Sequence, residues 1–168
     1  MFMNTQNRNP GPENVFFEIN KVPGGIQYAA RSGDLEISGT TTVFYKETVE
    51  RIINAPREPP EDVHKMAEFM AKHVETAVAE FGADYVTMGM ATEVACCTRL
   101  TLHIYLTYLH DEEIWRGAVE SSYDGRDGPH STGVHVVKKC IEFSGDIDIE
   151  ALKREMIRVA RHAYNSRE

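Results

Sequence analysis

The spacing of apolar positions changes several times along the chain. From Val15 the runs VFFEINKV, IQYAARSG, DLEISG and TTTVFYKETV are dense in β-branched and aromatic residues. The turns Pro23-Gly24-Gly25 and Gly33-Asp34 separate them, which predicts an antiparallel meander of three or four strands. The linker NAPREPPE, with three prolines in eight residues, ends this group. From Glu61 to Phe81, Met66, Phe69, Met70, His73, Val74, Ala77, Val78 and Phe81 recur at spacings of three and four. That is the pattern of an amphipathic helix, stopped by Gly82. Met88 to Leu109 then reads MGMATEVACCTRLTLHIYLTYL, without proline and with only Glu93, Arg99 and His103 ionisable. At helical rise this run spans roughly 33 Å. Being apolar nearly all round, it is expected to form a long buried central helix. Ile114 to Tyr123 and Gly133 to Phe143 read as two strands joined by the turn DGRDGPHST. The last helix follows GDID, with Asp148 as N-cap and Leu152, Met156, Val159, Ala160 and Ala163 along its buried stripe. The expected class is α+β: β-meander, two helices, β-hairpin, helix. Residues 15–168 are expected to form one domain, and 1–14, polar with two prolines and a glycine, a flexible arm.

Composition narrows the partners. Acidic residues outnumber Lys and Arg by 26 to 18, a net charge of −8, which argues against a nucleic acid or an anionic membrane surface. Residues 88–109 are long enough to span a bilayer, but Glu93 and Arg99 near the middle would each be costly in lipid. The first residues lack the charged start and apolar stretch of a signal peptide, so a cytoplasmic protein is expected. Three cysteines, two of them adjacent, do not make a disulfide framework.

On a central helix Cys97 points along the most apolar side, with Met90, Glu93, Val94, Thr101, Ile104 and Tyr108 around it. Cys96 is turned about 100° away, towards Thr92, Leu100 and His103. A reactive thiol needs its thiolate stabilised by a cation or a helix N-terminus. Neither cysteine has a cation within its own turn on the apolar side, so an activating arginine must come from another element. An inert buried cysteine acting as a small hydrophobe is the simpler reading of these residues. The seven histidines show no i,i+4 zinc helix, and no Cys-x-x-Cys exists, so neither metal nor cofactor is expected. DGRDG lacks the register and closing Glu of a calcium loop and reads as a turn.

ATEVACCTRLTLHIYL resembles the central helix of the OsmC/Ohr family of thiol peroxidases. IEFSGDIDIEALKREMIRVARHA is similar to that family's final strand, turn and last helix. YAARSGDLEIS is similar to its loop carrying a thiolate-binding arginine. The resemblance covers about 120 residues. It implies an intertwined homodimer, with Cys97 as the peroxidatic position, Cys96 as the other candidate and Arg31 as the activating cation. The family's resolving cysteine falls on Ala163. Its Pro-Glu element falls near Thr87-Met88, leaving Glu93 as the carboxylate to orient the arginine. The helix from Glu61 to Phe81 sits where many members carry a loop.

Two functions follow from the resemblance. In one, the Cys97 thiolate attacks the O–O bond of an organic hydroperoxide and becomes a sulfenic acid, resolved by Cys96, Cys140 or an external thiol reductant. A vicinal disulfide with Cys96 would distort the helix. Cys140 shares a strand face with Val134, Val136 and Lys138. In the other, the chain is a redox-inactive homodimer that binds a small apolar ligand or has a structural role.

Overall fold

The structure, a computed structural model, describes residues 16–42, 45–95, 98–125 and 133–166. Its first three strands, β1 (Phe16–Val22), β2 (Gly25–Ser32) and β3 (Leu35–Thr41), form the expected antiparallel meander. Helix α1 (Lys46–Asn54) and helix α2 (Glu61–Phe81) follow. Then come β4 (Tyr85–Ala95), β5 (Thr98–Leu109), β6 (Ile114–Gly125), β7 (Gly133–Ser144) and the last helix, α3 (Ile149–Tyr164). All seven strands join one antiparallel sheet in the order β1-β2-β3-β7-β6-β5-β4. The class is α+β, with three helices among the described residues.

Two expectations are corrected. The central helix expected over 88–109 is a hairpin, β4 pairing antiparallel with β5 from Tyr85↔Thr107 to Ala95↔Thr98. The physical reason lies in its alternation. Leu100, Leu102, Ile104 and Leu106 are fully buried, while Thr101, His103, Tyr105 and Thr107 lie on the opposite face. That period of two belongs to a strand, and the threonines and aromatics favour it. The second correction concerns TTTVFYKETV, expected as a strand. Strand β3 ends at Thr41, and Lys46–Asn54 is helical because Thr48, Val49, Ile52 and Ile53 fall on one buried side. Ala55, left-handed at φ 43°, closes that helix through its N–H on Arg51 O.

The other elements form as their patterns require. Gly82 ends α2 at φ 63°, where a Cβ would be strained. Asp148 caps α3, its side chain accepting from Ala151 N at 3.0 Å. Leu152, Met156, Val159, Ala160 and Ala163 are all fully buried. All three helices cover one face of the sheet, and the core lies between: α3 rests on β5, β6 and β7, and α2 on β4 and α3. Asn165, fully buried, ties the α1–α2 linker to the end of α3. Its Oδ1 accepts from Arg57 N at 3.0 Å and its Nδ2 donates to Arg57 O at 2.8 Å. Among the described residues no helix is long and apolar enough to cross a membrane.

Candidate functional site

Among the described residues the helices occupy one face of the sheet and leave the other bare. Alternation brings to it Arg31 from β2, Glu36 and Ser38 from β3, and Val136, Lys138, Cys140 and Glu142 from β7. Arg116, Ala118 and Glu120 from β6 and Thr101, His103 and Tyr105 from β5 complete it. Strand register sets Arg31, Glu36, Lys138, Glu120, His103 and Gly89 opposite one another in a single row across the sheet. The charges in this row alternate in sign, so neighbours across strands attract.

The bare face dips at its middle. One concavity of about 620 Å³ is floored by Ala118, only 7% exposed, and walled by Tyr105, Arg116, Glu120, Lys138, Cys140 and Glu142. A second, of about 280 Å³, lies beside it against Arg31, Asp34 and Glu36. Lys138 and Cys140 line both, so the two are parts of one groove.

Most charges on the walls are already engaged. Arg116 donates from Nε to Glu142 at 3.1 Å and reaches Glu112 at 3.5 Å. Arg31 holds Glu36 at 3.0 Å. Burial, followed by the charge of the nearby Glu120 carboxylate, pushes the Tyr105 phenol up. Lys138, half-buried between Glu36 and Glu120, makes no ion pair or side-chain hydrogen bond among the described residues. Among the described residues it is a cation on this surface open to an incoming anionic group.

The site residues expected from the sequence are distributed differently. Cys96 and Cys97 lie outside the described residues, between Ala95 and Thr98. Glu93 is exposed on β4, in register with Arg99 on β5. Arg31 is exposed on β2, its side chain at 70% of full accessibility. Five strand steps separate β2 from β4, so Arg31 and Glu93 stand roughly 25 Å apart within one chain. The structure does not bring them together there. Cys140 is exposed and shares its face with Val134, Val136 and Lys138. Sequence reasoning did not single out Tyr105, Arg116, Ala118, Glu120 or Lys138. The signal for them was the strand alternation of β5, β6 and β7, which puts all five on one face.

Among the described residues no group of three or more His, Cys, Asp or Glu side chains is gathered as a metal ion would need. Compared with family models, curated proteins and solved structures, the chain matches none.

Proposed function

We propose that the chain is a redox-inactive binding module that takes a small amphipathic molecule, with an apolar body and an anionic group, on the bare face of its sheet. The observation that carries this reading is Lys138, a half-buried cation with no partner among the described residues, at the junction of both concavities. Ala118 beneath it offers a small apolar floor, and the Tyr105 ring offers an apolar wall with a polar tip. An anion docking on Lys138 would form a charge-assisted hydrogen bond in surroundings that exclude part of the solvent.

The peroxidase reading keeps Cys97 as its nucleophile but has less support. Its activating arginine, Arg31, is held by Glu36 at 3.0 Å, and the helix that would bury the thiol is a hairpin.

The test is a binding titration of the full chain with the fluorescent anion anilinonaphthalene sulfonate, followed by displacement with decanoate. Saturable binding is expected, weakened about tenfold by Lys138→Gln, the worth of one charge-assisted hydrogen bond. Equal affinity in both proteins would remove the basis for the reading. Rapid consumption of cumene hydroperoxide that disappears in Cys97→Ser would favour the peroxidase instead.

A further inference from the structure

We infer that the free edge of β4 is the contact surface for a second copy of this chain, the two β4 strands pairing antiparallel about a two-fold axis at Gly89.

The argument starts from hydrogen-bond parity. Tyr108 N donates to Asp84 O, and β4 pairs with β5 in continuous register from Tyr85 to Glu93. In an antiparallel pair, residues two apart share the direction of their backbone groups. The even-numbered residues of β4 therefore bond to β5. The N–H and C=O groups of Tyr85, Thr87, Gly89, Ala91 and Glu93 point away from β5, and β4 is the last strand of the sheet among the described residues.

Such a row is a template for another strand, and stable monomers blunt it with lysine, proline or a short edge. The opposite edge, β1, is seven residues long and carries Glu18 and Lys21. Strand β4 is eleven residues long, YVTMGMATEVA, with no Lys, Arg or Pro and a single charge, Glu93. Its regularity breaks only between Glu93 and Ala95.

The occupant follows from self-complementarity. The regular stretch from Tyr85 to Glu93 has its midpoint at Gly89. A two-fold axis there sets Gly89 opposite Gly89 of the second copy, Thr87 opposite Ala91, and Tyr85 opposite Glu93. Every outward backbone group on both strands then gains a partner. On the helix-bearing face Met88 meets Met90 of the second copy, both half-buried as they stand, and the two cores become continuous. Helix α2 packs beside this edge, and its Phe69 and Phe81 are 58% and 79% exposed, with Tyr85 at 62%. A strand of this length against one sheet layer and one helix layer buries roughly 600 Å² on each copy, or ~1,200 Å² in total. That reaches the lower end of a stable, specific interface.

The test is sedimentation equilibrium of the full chain with two edge variants. Wild type is expected at twice the chain mass at micromolar concentration. Ala91→Pro removes an outward N–H and leaves the β5 ladder intact, and Thr87→Lys charges the edge; both should sediment as monomers with unchanged far-ultraviolet circular dichroism. Amide exchange at Thr87, Gly89 and Ala91 should slow at least tenfold between dilute and concentrated wild type. A wild-type monomer at 100 μM, a Thr87→Lys dimer as tight as wild type, or fast exchange at these amides within a persistent dimer would overturn the inference.

Discussion

Asp34 and Arg158 face each other in a two-pronged ion pair, Oδ1 to NH2 at 2.6 Å and Oδ2 to NH1 at 2.9 Å. The pair ties the β2–β3 turn to α3, and Lys139 joins it, 3.3 Å from Asp34 and 2.7 Å from Glu155. The Arg158 hydrogen bonds hold the Asp34 carboxyl well below the usual carboxylate range, against a smaller opposing effect of burial. A carboxylate with a depressed folded-state pKa stabilises the fold fully above its unfolded value, and that stability is lost as pH falls through the folded one. Asp34 is half exposed, so solvent screening limits the effect. Asp34→Asn should therefore cost about 1 kcal/mol at pH 7. Urea midpoints should show the gap between variant and wild type closing only below the ordinary carboxylate pH range.

Beneath β2 and β7, Tyr28 Oη and His135 Nδ1 stand 2.5 Å apart, both residues buried. Burial pushes the phenol far up and, helped by the charge of Arg51, pushes the imidazole down. Both groups are thus neutral at pH 7, and the imidazole tautomer sets which of them donates. Tyr28→Phe leaves a buried imidazole nitrogen without this partner and should lower stability by about 1–3 kcal/mol.

The same imidazole gives the protein a pH dependence. His135 and His162 are both lowered in the folded state, mainly by burial. The unfolded chain then binds more protons than the folded one from the ordinary value of 6.5 downward, so stability rises with pH through that window. Melting temperature should climb from mildly acid pH towards pH 7, and His135→Gln should flatten the slope.

Gly117 sits where β6 passes close to β5. A Cβ there would lie 1.6 Å from the Tyr105 carbonyl oxygen, a backbone atom that cannot swing aside. Gly117→Ala should destabilise by about 3 kcal/mol or fail to fold. A thermal melt within a degree of wild type would show that the two strands can separate there without cost.

Much of this architecture is legible in the sequence. The α2 boundaries, the Asp148 cap and the α3 stripe follow from strong 3.6-residue periodicity ended by clear stop signals. The β6–β7 hairpin and the first three strands follow from alternation and turn residues. The β4–β5 hairpin was misread because both faces of β4 carry small or apolar residues. In addition, Ala95-Cys96-Cys97-Thr98 offers no glycine, proline or asparagine to mark a turn. Helix α1 was hidden because Thr48, Val49, Ile52 and Ile53 are all β-branched and read locally as strand. The site was less legible still. Tyr105, Ala118 and Lys138 are far apart in sequence, and only the strand order β7-β6-β5 makes them neighbours.

The most direct measurement of the central claim is a map of backbone amide shifts as anilinonaphthalene sulfonate is added to isotope-labelled full-length protein. The proposed binding face predicts the largest shifts at Tyr105, Ala118, Lys138 and Cys140, and their loss in Lys138→Gln. Shifts confined to Leu102 and Met156 between sheet and helices, or to Cys96 and Cys97, would contradict it.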